Sequence, residues 1–363
     1  MKRKKIVFGI FFIFLGLAAL VTAVGCFFSA PRYTGPRSEH FDGDRFYNYD
    51  RSKEKSFGDL IKWMTNRDQG PWEGDPDAEP GPPPPKRVAA GELRVTFVNH
   101  ATVLIQTDGI NILTDPIWSE RGSPVDWAGP RRVRPPGIRF EDLPPIDVVL
   151  VSHNHYDHLD VPTLRRLSKD HSPKILSGLG NAKLMRNKEI ENAFDLDWWQ
   201  RIRLSDSVRV TFVPAQHFSS RGMFDHHKTL WGGFVIETSR HRVYFAGDTG
   251  FGGHFEQIRD RFGPITLALL PIGAYKPRWF MSPVHLSPQQ AVQAHKILGA
   301  QQSMAIHFGT FPLGDDGEQE PVVELKEALK DKQLTEKDFW VPGFGEGRKI
   351  SDSPERSVSH ETS

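Results

Sequence analysis

The stretch VSHNHYDHLD (151–160) sets three histidines and two aspartates within ten positions, immediately after the apolar run DVVLV (147–151). An apolar run of that length bounded by polar residues reads as a buried strand. In extended chain His153 and His155 point to the same side, and Asp157 and His158 follow as the chain turns towards the next helical stretch. Two pairs of ligand-type side chains are thereby aimed at two adjacent points beyond one strand end. A solvated loop has no need of that density, so the segment is read as part of a metal site.

Such a site needs further ligands, and they must come from His and carboxylates. The chain has one cysteine, Cys26, which excludes a disulfide framework and a thiolate zinc cluster. Three later strand-like runs end on suitable residues: VPAQHFS (213–219) on His217, VYFAGDTG (243–250) on Asp248 and MAIHFGTF (304–311) on His307. Gly247 and Gly250 flank Asp248 and let backbone approach closely. Each residue alone would be an ordinary structural group. Together, in the order H-x-H-x-D-H, His, Asp, His, they form the pattern of a two-metal hydrolase.

The rest of the chain supplies a scaffold for strand-end ligands. Short β-type runs appear at 93–98, 102–107, 110–115, 147–152, 208–215, 232–238, 241–248, 267–272 and 303–308. Helical stretches fall between them at 161–170, 180–190, 287–300 and 321–332, with Ser287 as an N-cap, Gly299 near a helix end and Pro321 in a first turn. The order predicts an α/β fold of two sheets sandwiched by helices, over residues 91–350. Residues 29–90 read as a Pro-rich connecting region in which 56–72, with Phe57, Leu60, Ile61 and Met64 at helical spacing, forms a short amphipathic helix that packs on the main domain or touches lipid. Residues 351–363 read as a disordered tail.

The pattern resembles the metallo-β-lactamase superfamily, which implies an αββα sandwich with a dinuclear site at one edge. By that resemblance His153, His155 and His217 hold one divalent ion and Asp157, His158 and His307 the other. Asp248 bridges, and a bridging hydroxide is the nucleophile; Zn2+ is the metal expected. A narrower similarity covers most of 90–345, carried by VNHATVLIQTDGINILTDPIW, FDHHKTLWGGFVIE, GAYKPRWFMSPVHLSPQQAV and SMAIHFGTFPL. It is to the N-acyl-phosphatidylethanolamine-hydrolysing phospholipases D. The function it implies is attack on phosphorus, releasing an N-acylethanolamine and phosphatidic acid. Asp157, Asp248 and His285 are then the catalytic group, with His285 and His100 as substrate contacts. A lactonase or small-molecule phosphodiesterase of the same superfamily is the alternative, and a non-catalytic membrane-tethered metal- or lipid-binding protein the alternative of another class.

Secondary expectations attach to other residues. Asp115 either orients a ligand histidine or starts a turn before Pro116, and His226 and His227 are expected at the surface. Trp118, Trp127, Trp231, Trp279 and Phe280 are candidates for an acyl-chain groove, with core packing as the competing role. GPRRVR (129–134) either attracts an anionic head group or forms a solvated face.

KRKK (2–5) precedes 23 uncharged residues, 6–28, long enough to span a bilayer. Residues 1–28 are therefore expected to be a membrane anchor or signal segment. An uncleaved anchor, lipoprotein processing at Cys26 and ordinary cleavage all remain open. The basic end stays cytoplasmic, which puts the catalytic domain on the non-cytoplasmic side, periplasmic or extracellular in a bacterium. The expected partners are a membrane phospholipid and the bilayer, with a homodimer kept in view. A formal charge of +1 gives no electrostatic ground for nucleic-acid binding.

Overall fold

The computed structural model describes residues 22–51 and 54–350. The expected disordered tail lies outside them, as does most of the expected anchor or signal segment. Among the described residues no helix is long and apolar enough to cross a membrane.

Two seven-stranded sheets face each other. The first comprises β1 (Leu93–Asn99), β2 (Thr102–Thr107), β3 (Ile110–Thr114), β4 (Val148–Val151), β5 (Lys174–Gly178) and β6 (Ala193–Leu196), with β14 (Gly347–Ile350) outside β1. The second comprises β7 (Arg201–Arg203), β8 (Arg209–Val213), β9 (Gly233–Glu237), β10 (Arg242–Phe245), β11 (Leu267–Pro271), β12 (Gln302–Ile306) and β13 (Phe339–Trp340), in that order across the sheet. The nine β-type runs read from sequence are all strands here. The five others are short edge strands or, like β5, flanked by charge, so their apolar signal is weak.

Side-chain alternation explains the layers. On β2, Val103 and Ile105 join Phe97, Phe212 and Phe234 between the sheets, while Leu104 points the other way with Leu113, Val149 and Leu164. Two helices, α2 (Val161–Asp170) and α3 (Asn181–Arg186), supply Leu164, Leu167, Leu184 and Met185 to that outer layer. The central strands are thus covered on both faces, as strands of mixed parallel sheets are. On the second sheet α4 (His254–Phe262), α6 (Pro288–Leu298) and α7 (Glu320–Asp331) contribute Phe255, Val292 and Leu325. The start of α6 is fixed by a reciprocal Ser287–Gln290 capping box and its end by Gly299 in the left-handed region.

Strand direction places the chemistry. β1 and β3 both run antiparallel to β2, and β4 runs parallel to β3. β8 and β10 both run antiparallel to β9, and β11 and β12 continue parallel to β10. The C-terminal ends of β1, β3 and β4 therefore share one edge of the first sheet, and those of β8, β10 and β12 one edge of the second. Loops at carboxyl strand ends are where α/β sheets build sites.

The segment before β1 does more than connect. Phe41 and Phe46 are fully buried in the main core. Residues 57–65 form α1 (Phe57–Thr65), started by a Ser56–Asp59 capping box. No residue of α1 is buried, and Phe57, Ile61 and Met64 are exposed. The anchoring contacts come from Trp63, which stacks on Phe280 at 5.0 Å and donates through Nε1 to Asp315 at 3.1 Å, and from Arg67, which also bonds to Asp315.

Candidate metal centre

Every strand end named above delivers a group to the same place. His100 follows β1, Asp115 follows β3, His153 to His158 follow β4, His217 follows β8, Asp248 follows β10 and His307 follows β12. Three of these residues, His100, Asp115 and His307, have positive φ of 47°, 32° and 60°. Non-glycine residues in that region cost free energy and collect at functional sites. Gly247, at φ 59°, brings the backbone before Asp248 so near β4 that a Cβ there would lie 2.5 Å from Cβ of Ser152. Gly247→Ala is expected to lower the urea midpoint by the equivalent of roughly 3 kcal/mol, combining a strained φ with overpacking. A midpoint equal to that of the parent would contradict this account of the strand-end approach.

The site divides into two adjoining clusters. His153, His155 and His217 offer ring nitrogens within 4.8 Å of one another, and a carboxylate oxygen of Asp157 lies as close to ring nitrogens of His158, His307 and His100. Asp248 lies between the clusters. Its Oδ2 is 3.1 Å from His307 Nε2, 3.3 Å from His158 Nε2 and 3.9 Å from His217 Nε2. His158 Nε2 is 3.2 Å and His307 Nε2 3.6 Å from Asp157 Oδ2. Donors held about 2.0–2.2 Å from one tetrahedral cation lie about 3.4 Å apart, which is the spacing found. These nitrogens approach the carboxylates without hydrogen-bond alignment: His158 Nε2, both His307 nitrogens and Asp248 Oδ1 are buried without a hydrogen-bond partner. Buried polar atoms are rarely left so unless an ion or water takes them up. The donor set fits divalent cations.

Neighbours fix which nitrogen faces inward on three of the rings. His217 Nδ1 donates to the carbonyl of Val284 at 2.9 Å, and His158 Nδ1 to Asp115 Oδ2 at 2.6 Å. His153 Nδ1 is 2.8 Å from Ser152 Oγ, which itself donates to Asp115 Oδ2 at 2.6 Å. Each arrangement leaves Nε2 pointing into the site, the usual logic of a metal-binding histidine. Asp115 is thus an orienting residue rather than only a turn former. Ser152 and Asn48 were not visible from sequence. Asn48 holds the backbone of His217 on both sides, donating to its carbonyl at 2.8 Å and accepting from its N–H at 3.1 Å.

Charge follows from burial and carboxylates. Burial pushes His153 and His217 well below the ordinary imidazole value and His155 down to about 3, so all three are neutral and able to donate a lone pair. Burial pulls His158 and His307 the same way, but facing carboxylates, Asp248 foremost, outweigh it and raise His158 well above the ordinary value and His307 to about 9. Burial raises Asp157 and Asp248, and the facing imidazoles overcome it, leaving both well below the carboxylate range. The second cluster therefore demands positive charge.

A cavity of about 700 Å3 opens onto His155, Asp157, His217, Asp248, His285 and His307, within the range of ligand-binding cavities. Its other wall is largely apolar, with Phe57, Leu60 and Trp63 from α1, Phe280 and Met281 from α5 (Arg278–Met281), and Met223. His285 stands on the cavity side of Asp248, its Nδ1 3.8 Å from Oδ2, and burial lowers it to about 4.

Other expectations fare differently. His100, expected as a substrate contact, is 1% exposed, touches Asp157 and His307, and is not among the residues lining the cavity. His226 is exposed at the cavity mouth, but His227 beside it is buried. Of the five acyl-groove candidates only Phe280 lines the cavity. Trp231 is core and donates to Ala215 O and Asn48, Trp118 packs on Phe140, and Trp127 and Trp279 are exposed. In GPRRVR, Arg132 is buried on the carbonyls of Ile117 and Ser119, and Arg134 pairs with Glu318. Those two hold loops together.

A family model described as the beta-lactamase superfamily domain matches residues 110–308. The chain is 39% identical over 273 residues to N-acyl-phosphatidylethanolamine-hydrolyzing phospholipase D 1 of Caenorhabditis elegans, covering 72% of this chain and 76% of that protein. It is 34% identical over 225 residues to the mitochondrial N-acyl-phosphatidylethanolamine-hydrolyzing phospholipase D of Saccharomyces cerevisiae, covering 60% of this chain and 48% of the yeast one. Among solved structures, a metallo hydrolase from Ignicoccus hospitalis aligns with a TM-score of 0.54 at 21% identity, over 72% of this chain and all of its own. A possible metal-dependent hydrolase from Veillonella parvula aligns with a TM-score of 0.57 at 16% identity, over 71% of this chain and 99% of its own.

Proposed function

The chain belongs to the metallo-β-lactamase superfamily, and from that premise we propose that it is a metal-dependent hydrolase of the phospholipase D type, cleaving N-acyl-phosphatidylethanolamine into an N-acylethanolamine and phosphatidic acid. The observation that carries the reading is the apolar cavity that ends on the His/Asp clusters. Its apolar wall suits acyl chains, and its polar end suits a phosphodiester. The names of the nematode and yeast relatives support the same substrate class.

In this reading His153, His155 and His217 would hold one divalent cation and Asp157, His158 and His307 a second, with Asp248 between the two clusters. Zinc is our assignment, since imidazole and carboxylate donors suit it. Bound there, such cations would supply Lewis-acid polarisation of a phosphoryl oxygen and a lowered pKa for water. The chain's own residues do the rest. Asp115 and the carbonyl of Val284 hold the rings of His158 and His217 in their tautomers. His285, neutral and facing the cavity, donates a hydrogen bond to the phosphate or the departing oxygen. The bond from water oxygen to phosphorus forms, the bond from phosphorus to the ethanolamide oxygen breaks, and the proton from water ends on that oxygen.

Membrane association is part of the proposal, with the catalytic domain on the non-cytoplasmic side. Around the mouth, Phe57, Ile61, Met64, Met223, Phe224 and Trp279 are exposed. Residues 25–30, which end the apolar N-terminal run, sit on the same rim: Ala30 N–H donates to Asp225 at 2.8 Å and Phe224 N–H to Ser29 Oγ at 3.1 Å. A panel of N-acyl-phosphatidylethanolamine, bis(p-nitrophenyl) phosphate and a lactone tests the substrate class. The lipid is expected to be preferred; preference for the lactone would move the protein to another branch of the superfamily.

Cation binding should also release protons. His307, raised to about 9, carries a proton at pH 7 that a cation at its Nε2 must displace. A proton that competes below pH 9 makes metal affinity climb as pH rises towards 9 and level off above it. Titration calorimetry at pH 7 in phosphate and in Tris is expected to give heats that differ with buffer ionisation; equal heats would contradict this.

A further inference from the structure

His100 is not needed to complete either cluster of three ligands, yet it is tied to the second of them through backbone and ring alike. Its backbone N–H donates to Thr310 Oγ1 at 3.0 Å, and its carbonyl accepts from the N–H of His307 at 2.7 Å. The ring lies 4.0 Å, centroid to centroid, from that of His307, and Nε2 is 2.9 Å from Asp157 Oδ2. One side chain thus touches a candidate ligand of the second cluster from each sheet. Its φ of 47° is held by these contacts.

We infer that His100 is a positioning residue: its Nε2–H donates to Asp157 Oδ2 and sets that carboxylate for the second cation, while its carbonyl and ring hold His307 opposite. This rests on the two-cation reading above. Alignment separates donor from ligand here. Nε2 and Oδ2 at 2.9 Å make an aligned hydrogen bond, whereas His158 Nε2 and both His307 nitrogens are buried beside the carboxylates without one. A carboxylate with one oxygen pinned has fewer orientations to lose when it binds a cation. Partners of this kind are worth about 10- to 100-fold in metal affinity.

The test titrates detergent-solubilised, metal-stripped full-length chain with Co2+ and follows the visible d–d bands, for the parent, His100→Gln and His100→Phe. Glutamine keeps an N–H donor; phenylalanine keeps a planar ring and removes it. The expected result is two Co2+ per chain in the parent and in His100→Gln. In His100→Phe one ion is expected to bind as in the parent and the second about 10- to 100-fold more weakly, with an altered band. Near-ultraviolet circular dichroism is recorded on all three, because a purely structural role would alter the fold and both ions together. The inference is overturned if His100→Phe binds both ions like the parent. It is equally overturned if His100→Gln is as impaired as His100→Phe, which would make the imidazole itself a ligand, or if both variants lose the native circular dichroism. Failure of the parent to bind Co2+ would instead sink the two-cation reading on which the inference stands.

Discussion

Replacing Asp248 by asparagine is expected to slow phosphodiester hydrolysis by at least about 1,000-fold, the loss of roughly 4 kcal/mol of Lewis-acid stabilisation. The side chain keeps its shape, so packing is not at issue. What changes is the charge at the one oxygen that stands 3.1–3.9 Å from nitrogens of His307, His158 and His217. Asparagine offers at best one neutral oxygen and an N–H pair that cannot bind a cation. Asp248 is also the foremost group that raises His158 and His307, so the variant loses the negative field that draws a cation into the second cluster. Metal content by mass spectrometry is expected to fall from two ions per chain to one or fewer. A variant that retained both ions and hydrolysed within tenfold of the parent would remove Asp248 from the centre of the site.

The second large effect concerns the membrane. Ile61→Glu with Met64→Glu is expected to reduce hydrolysis of lipid presented in vesicles by about 100-fold, the loss of two apolar side chains buried at roughly 1.5 kcal/mol each. Both residues are exposed on α1 and neither lines the cavity, so hydrolysis of a soluble phosphodiester should be unchanged. The helix has its own capping box and hangs on Trp63 and Arg67, and the substitution leaves these untouched. Vesicle flotation supplies the binding readout. Equal loss on soluble and vesicle substrates would mean that α1 matters to the site rather than to lipid.

The site was legible to different depths for identifiable reasons. His153, His155, Asp157 and His158 were legible because their spacing is local, and His217, Asp248 and His307 because each ends an apolar run. Gly247 announced a close approach, which the contact with Ser152 explains. Asp115 was readable only as two alternatives, since its bonds to His158 and Ser152 span about forty residues. Asn48 was out of reach for the same reason: its contact with His217 crosses 169 positions. Trp231 was likewise readable as two alternatives, acyl-chain groove or core, and it is core. Arg132 misled: composition makes an Arg a head-group contact or a surface charge, whereas here it is buried on loop carbonyls. The fold's central strands carried clear apolar signals, while β6, β7 and β13, short and at or near sheet edges, carried almost none.

The most direct test of the central claim is to incubate the zinc-loaded, detergent-solubilised chain with N-acyl-phosphatidylethanolamine in oxygen-18-labelled water and identify products by mass spectrometry. The account predicts N-acylethanolamine without label and phosphatidic acid carrying one labelled oxygen, with both products lost in His155→Ala. Label in the N-acylethanolamine, or no turnover by a chain shown to carry two metal ions, would contradict it.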